Sequence, residues 1–190
     1  MKSKILEQER ISKGFIKVER VLLETPVING TDSFTQVREV ANQASSVFVL
    51  PFDKRTGEYL TVVQHRAGAI YESTTLVVEP IAGRIDKDKT PSEIAVAELS
   101  EEAGLTCSVT DLIPLGEMMI SPGASTEKGH FFLLPCDLSS VHGNTKHGLQ
   151  SEGEDILLLK QALDADHDKG EYLVSLQLGF LKAMIPAFMQ

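Results

Sequence analysis

Alternating hydrophobic and polar positions predict β-strands along much of the chain. The segments that alternate, or that are apolar between turn residues, are 15–23, 34–40, 46–52, 59–63, 76–79, 130–136 and 155–159. The Asn29-Gly30 pair between the first two segments is typical of a tight turn, so residues 14–40 are predicted to form a β-hairpin. Residues 1–13 are charged and are expected to be frayed or loosely docked, whereas residues 139–154 are polar and show no periodicity.

Two other segments are predicted to be helices. In the first, Thr90 is a suitable N-cap, Pro91 stands at the first helical position, and Glu93 can close a capping box with Thr90. Gly104 can end this helix in the left-handed conformation. In the second, residues 172–187 place apolar side chains near helical spacing. Runs of strands with two helices predict an α/β (α+β) fold built as a sandwich around a sheet.

Length and composition limit the class of protein. A chain of 190 residues suits one full domain, taken here as 41–190, with a small appended element at 1–40. The net charge of −9 and the lack of a basic run argue against a nucleic-acid partner. No stretch approaches the roughly 18–20 apolar residues of a membrane span, and the N-terminus is too polar for a signal peptide. The expected location is the cytoplasm, where Cys107 and Cys136 would be buried, reduced thiols.

Three glutamates fall on one face of the first predicted helix. Glu98, Glu101 and Glu102 are spaced i, i+3 and i+4, which places them within an arc of roughly 100°. Like charges at this spacing destabilise an isolated helix by about 0.2–0.5 kcal/mol per pair. The residues alone leave two interpretations open: a solvated acidic surface, or ligands for a hard divalent cation that prefers oxygen donors.

The segment around these glutamates resembles the Nudix box, GX5EX7REUXEEXGU, in which U is an aliphatic residue. The positions that match in register are Gly83, Glu98, Leu99, Glu101, Glu102, Gly104 and Leu105. Two positions differ, because Lys89 stands where the pattern has Glu and Ala97 stands where it has Arg. In the family this arginine orients the adjacent carboxylate, so its replacement is expected to affect activity, on the order of 10–100-fold, more than folding.

Other segments extend the resemblance to the ADP-ribose and nucleotide-sugar diphosphatase branch of the Nudix hydrolases. In chain order they are Arg38-Glu39, Pro51-Phe52-Asp53, Gln64-x-Arg66, Glu79-x-x-Ala82-Gly83, Ser121-Pro122-Gly123 and residues 147–155. The resemblance implies a Nudix-type helix–mixed sheet–helix sandwich with an N-terminal β-hairpin element. It also implies a homodimer in which the hairpin crosses to the partner, and the hairpin alone is too small to bury much apolar surface.

The same resemblance implies roles for particular residues. The expected metal ligands are Glu98, Glu102, Glu154 and the backbone carbonyl of Ala82. The expected catalytic residues are Glu152, Glu101 and Glu154, with Glu152 favoured as the general base. The expected substrate contacts are Arg66 with phosphate, Arg38 and Glu79 with the nucleoside or sugar, Phe15 stacked on a base, and Gly123.

These residues suit metal-dependent hydrolysis of a diphosphate, which needs an oriented water, a base, and cations that offset charge on phosphate oxygens. The leading prediction is cleavage of ADP-ribose or a related nucleoside diphosphate sugar with Mg²⁺, or Mn²⁺ as a substitute. The products would be a nucleoside monophosphate and a sugar phosphate. The alternative, motivated by Lys89 and Ala97, is a degenerate Nudix domain that binds a nucleotide with little or no turnover.

Overall fold

The computed structural model describes residues 2–85, 88–148, 155–164 and 172–189. The chain divides into two compact units. The first comprises Met1–Ser45 and Met118–Gly129, and the second comprises Ser46–Glu117 and His130–Gln190. The domain boundary between residues 40 and 41 remains a prediction. None of the helices in the described ranges is both long and apolar enough to cross a membrane.

The first unit contains a three-stranded antiparallel sheet of β1 (Lys4–Arg10), β2 (Lys17–Pro26) and β3 (Ser33–Asn42). The hairpin of β2 and β3 was predicted, and its turn is closed by the Val27 N–H, which donates to the Asp32 carbonyl at 2.9 Å. Strand β1 was not predicted, because the segment was expected to be frayed. Every residue of β1 is exposed, so its sequence shows no alternation of buried and exposed positions. The strand is formed by pairing with β2.

A second sheet contains nine strands of the described chain. They are β4 (Ser46–Phe52), β5 (Glu58–His65), β6 (Leu76–Glu79), β7 (Ile81–Arg84), β8 (Ile113–Met119), β9 (Lys128–Pro135), β10 (Thr145–His147), β11 (Ile156–Ala162) and β12 (Leu173–Val174). The path runs β10-β11-β5-β4-β9-β8, with β6 beside β5, β7 beside β4, and β12 beside β6. The β12–β6 pair is parallel and the β4–β7 and β5–β6 pairs are antiparallel, so the sheet is mixed, as predicted.

Two α-helices, α1 (Pro91–Ala103) and α2 (Leu176–Met184), cover opposite faces of this sheet. On β4, Val47 and Val49 join the buried cluster that contains Leu99 of α1. The alternate residue, Phe48, stacks on Phe131, whose ring meets Phe180 of α2 edge-on. Because neighbouring residues of a strand point to opposite faces, the two helices lie on opposite sides. The predicted helix–mixed sheet–helix sandwich is confirmed.

The helix ends follow local signals to different degrees. The capping box of Thr90 and Glu93 is present, and Gly104 ends α1 with φ 63°. The second helix begins at Leu176 rather than at residue 172, because Leu173–Val174 pairs with β6 and Ser175 caps the helix. Within the stretch 139–154, β10 was not predicted. It has only three residues, too few for alternation to show.

Asp53 joins the β4–β5 turn to the chain beyond β9. Its carboxylate is 4% exposed and accepts the backbone N–H groups of Arg55 at 2.7 Å, Thr56 at 3.3 Å and Leu138 at 3.3 Å. Burial acts to raise the pKa of Asp53. Against it, these hydrogen bonds and the nearby Arg55 charge lower the pKa, and the net shift is downward. The Asp53 carboxylate is therefore ionised in the folded protein at neutral pH, although it is buried.

The two cysteines are free and half-buried, and they pack against the main hydrophobic cluster. Their burial is less complete than predicted. Burial, followed by the neighbouring charge of Asp53, raises the pKa of Cys136 to about 11. A thiol with a raised pKa is protonated near neutral pH and is a poor nucleophile.

Candidate active site

The centre of the candidate site is the contact between Glu98 on α1 and Gly83 on β7. A β-carbon at Gly83 would overlap Oε1, Cδ and Cγ of Glu98, so the glutamate side chain occupies the space that any larger residue would need. Gly83 pairs with Val47 of β4, which fixes the strand beneath the helix. Glycine is required here for the close approach of a side chain, since its φ is not positive.

Glu102, one helical turn further along α1, is held against the same strand. It is 4% exposed, and its Oε2 accepts the backbone N–H of Ala82 at 3.2 Å. A backbone N–H donor fixes the carboxylate and favours its charged form. The sequence predicted that the Ala82 carbonyl is a metal ligand, which stays a prediction, whereas the observed contact is made by the Ala82 amide. The signal that could have indicated it is the placement of an alanine–glycine pair before the helix.

The donor set at this point suits a hard divalent cation. Two carboxylates, Glu98 and Glu102, meet the backbone of β7, whereas Glu101 lies on the exposed side of α1. Within residues 2–85, 88–148, 155–164 and 172–189, no group of three or more His, Cys, Asp or Glu side chains is arranged to hold a metal ion. Mg²⁺ commonly uses only one or two protein carboxylates and takes its other oxygens from water and phosphate. The residues present therefore fit such an ion.

An ion pair lies on the helix α1 side of the β5–β6 hairpin. The Arg66 Nε donates to Glu79 Oε2 at 2.6 Å, with side-chain exposures of 44% and 16%. Glu79 is the last residue of β6, three residues before Ala82. These two predicted substrate contacts are therefore brought together by the fold.

A comparison with known families decides the classification. The family model described as "NUDIX domain" matches residues 42–177, which is most of the chain. The chain belongs to the Nudix family. The predicted family membership and the predicted ADP-ribose and nucleotide-sugar branch are both confirmed.

Named relatives agree with this classification. Over 156 residues the chain is 30% identical to an ADP-ribose pyrophosphatase of Haemophilus influenzae, covering 80% of this chain and 70% of the relative. It is also 30% identical over 129 residues to a GDP-mannose pyrophosphatase of Yersinia enterocolitica, covering 67% and 65%. A crystal structure of an ADP compounds hydrolase, 18% identical, shares the fold with a TM-score of 0.70, over 100% of this chain and 95% of that one. The assignment as a Nudix pyrophosphatase is confirmed.

The two departures from the Nudix box lie at exposed or half-buried positions. Lys89 is exposed just before the N-cap of α1, and Ala97 is half-buried. The backbone and side chain of Thr90 donate to Glu93 and lower the pKa of its carboxyl, and Lys89 adds a smaller electrostatic effect in the same direction. Ala97 stands at the arginine position of the Nudix box and offers no side-chain hydrogen bond. Glu102 nevertheless accepts a hydrogen bond from the backbone N–H of Ala82.

Three other predicted Nudix substrate contacts belong to the first unit. Phe15 is 86% exposed, and Arg38 donates through Nη1 to the Val37 carbonyl at 2.8 Å. Gly123 lies in a loop where the Ser121 carbonyl accepts the Ser125 N–H at 2.8 Å, and a β-carbon at Gly123 would meet open space. Their roles in substrate binding remain predictions.

The two late glutamates predicted to be catalytic, Glu152 and Glu154, lie outside the described residues. The described residues on either side are paired, since His147 of β10 is opposite Ile156 of β11. Lys146 of β10 forms an ion pair at 3.0 Å with Asp155, the residue just before β11. The roles of these glutamates remain predictions.

Proposed function

We propose that this Nudix enzyme hydrolyses the diphosphate linkage of ADP-ribose or a related nucleoside diphosphate sugar, giving a nucleoside monophosphate and a sugar phosphate. The observation that carries the proposal is the seating of two α1 carboxylates on β7, with Glu98 against Gly83 and Glu102 on the Ala82 N–H. The names of the relatives support the substrate class, since they are pyrophosphatases of ADP-ribose and GDP-mannose.

The proposed metal ligands are Glu98, Glu102 and the carbonyl of Ala82, with Mg²⁺ as the expected ion and Mn²⁺ as a substitute. When bound, the ion supplies positive charge that offsets the negative charge of the diphosphate oxygens. The protein contributes the fixed carboxylates, because one is confined by the bare backbone of Gly83 and the other by the Ala82 amide. Arg66 is proposed to bind phosphate, as its guanidinium suits a phosphate edge.

A substrate screen tests the proposal. ADP-ribose, GDP-mannose and dinucleoside polyphosphates are offered with Mg²⁺ or Mn²⁺, and phosphate release is read after phosphatase coupling. Turnover of a nucleoside diphosphate sugar is expected, together with its loss in excess EDTA. Full turnover in EDTA would refute the metal dependence. Absence of turnover with every compound would favour the degenerate, binding-only alternative.

Variants of the helix glutamates test the metal ligands. Glu98→Gln and Glu102→Gln are each expected to lower turnover strongly while the protein remains folded, because charge is removed from a face where like charges repel. Glu58→Gln is a matched control, since it removes a carboxylate whose partner is Lys160 on the neighbouring strand. Unchanged turnover in both helix variants would contradict the assignment.

The general base is proposed to be Glu152, with Glu154 as an auxiliary ligand. Glu152→Gln or Glu154→Gln is expected to lower turnover by at least ~100-fold, the range for loss of a positioned base. Substrate affinity should change little for the base and more for the metal ligand, which separates the two roles. Near-parental turnover in both variants would move the base elsewhere, with Glu101 as the next candidate.

The enzyme is further proposed to act as a cytoplasmic homodimer. The supporting observation is the exposure of apolar side chains in the first unit, where Ile5, Phe15, Ile28 and Val37 are each more than half exposed. Large exposed apolar areas are typical of interaction surfaces. Sedimentation at micromolar concentration tests the dimer.

A further inference from the structure

The Arg66–Glu79 pair joins the residue just after β5 to the last residue of β6. In the β5–β6 hairpin, Val62 is opposite Glu79 and Gln64 is opposite Val77. Beyond them the Arg66 N–H donates to the Thr75 carbonyl at 2.9 Å. Arg66 therefore lies just beyond the ladder, which ends at His65, and four residues after the position opposite Glu79. Its side chain still reaches the carboxylate, with 2.6 Å between Nε and Oε2.

The direction of this side chain is set by strand alternation. Residues 60, 62 and 64 share one face of β5, and Arg66, which follows the strand with extended φ −118° and ψ 123°, continues the alternation. Leu60 and Val62 belong to the buried cluster that also contains Leu99 of α1, so this face is the one covered by α1. Glu79 is opposite Val62, so its contact with Arg66 places the guanidinium on the α1 side of the sheet. It ends beside a residue only three positions before Ala82, at most about 11 Å along the chain.

The atoms used in the pair leave a binding edge on the guanidinium. Glu79 accepts from Nε. Among the described residues, neither Nη1 nor Nη2 of Arg66 makes a hydrogen bond or an ion pair. The Arg66 side chain is 44% exposed and the Glu79 side chain 16%, so the carboxylate is the more fixed partner and the arginine remains accessible to a ligand. Two Nη groups can bind two oxygens of a phosphate together.

We infer that Glu79 is a positioning residue, which holds Arg66 by its Nε so that Nη1 and Nη2 bind the diphosphate of the substrate. This inference rests on the proposed function for the phosphate contact. It gives Glu79 a different role from the direct contact with nucleoside or sugar predicted from the sequence. Fixing the arginine before the substrate arrives reduces the ordering cost of binding.

The sign of one substitution separates this role from simple electrostatics. Glu79→Gln removes a negative charge near an anionic ligand, which alone would leave binding unchanged or make it tighter. Loss of positioning instead predicts weaker binding, by on the order of 10-fold, with the larger change in KM and little change in kcat. Glu79→Asp, which keeps the charge on a shorter side chain, is expected to recover part of the loss.

A double-mutant cycle distinguishes positioning from direct contact. Affinity for the α,β-methylene analogue of ADP-ribose, in which a carbon replaces the scissile oxygen, is measured by calorimetry with Mg²⁺ for the parent, Glu79→Gln, Arg66→Gln and the double variant. If Glu79 acts through Arg66, Glu79→Gln costs nothing further once Arg66 is replaced. A full, independent loss in the Arg66→Gln background would show that Glu79 touches the ligand itself, and would overturn the inference. Glu58→Gln, which breaks the Lys160 pair on the same sheet, is expected to bind as the parent does.

The design also separates this inference from the proposed function. The parent protein could bind the analogue through the coupled Arg66–Glu79 pair and yet turn over no nucleoside diphosphate sugar. That result would refute the proposed function and support the inference. Turnover of a nucleoside diphosphate sugar by the parent, with unchanged or tighter analogue binding in Glu79→Gln, would support the proposed function and refute the inference. Failure of the parent to bind both the analogue and inorganic pyrophosphate would also overturn the inference.

Discussion

Replacement of Gly83 by alanine separates the position of Glu98 from the stability of the fold. The added methyl group would overlap Oε1, Cδ and Cγ of Glu98. These atoms belong to the outer part of a flexible side chain, so the glutamate can move while β7 and its pairing with Val47 stay in place. We therefore expect a folded protein whose Glu98 is displaced from β7.

The expected energies follow from that contact. Moving Glu98 to a poorer rotamer costs about 0.5–1.5 kcal/mol. Replacing glycine by alanine at an unstrained position returns about 0.4–1 kcal/mol by restricting the unfolded chain. The net change in the free energy of unfolding should thus stay within about 1 kcal/mol. Displacing a metal-ligating carboxylate, by contrast, is expected to weaken metal binding and turnover by about 10–100-fold.

Three measurements on Gly83→Ala test this separation: Mn²⁺ affinity by electron paramagnetic resonance, kcat with the best substrate, and the melting temperature by calorimetry. Gly179→Ala in α2 is the matched control, because a β-carbon there meets open space. It should stabilise the protein by about 0.5–1 kcal/mol through helix propensity and leave Mn²⁺ affinity unchanged. Parental Mn²⁺ affinity and turnover in Gly83→Ala would refute the reasoning, as would a stability loss above about 3 kcal/mol.

Three other properties of the protein can be tested by variants or by sedimentation. Asp53→Asn should lower stability by about 1–3 kcal/mol at neutral pH by disrupting the hydrogen bonds to the buried carboxylate. The pKa of Asp53 is lower in the folded state, so its contribution is present above about pH 4 and is lost as the pH falls through the folded value. Urea unfolding of the two proteins should therefore converge in acid, and a constant difference would contradict this. Lys89→Glu combined with Ala97→Arg should raise turnover if the altered Nudix box limits the enzyme; a double variant no faster than the parent would show that the site compensates otherwise. Sedimentation should show a dimer at micromolar concentration, and a monomer would reject the dimer.

The sequence by itself determined the features that depend on residues close together in the chain. The ends of α1 follow from Thr90, Glu93 and Gly104, whose capping contacts span only a few residues. The strands 46–52 and 76–79 were predicted with the boundaries that the structure shows, because buried strands are continuously apolar. The spacing of Glu98 and Glu102 on one helix face is also a local feature of the sequence. It belongs to the motif that predicted the Nudix family.

The tertiary structure decided the features that depend on strand pairing and on the fit between elements. Strand β1 is made by hydrogen bonds to β2 and carries no hydrophobic pattern of its own. The use of the Ala82 amide by Glu102 requires β7 to lie beneath α1. The pairing of Arg66 with Glu79 depends on the register of the β5–β6 hairpin, since a shift of one residue would place the two side chains on opposite faces. Contacts of this kind join residues that are distant in the chain, so no local pattern specifies them.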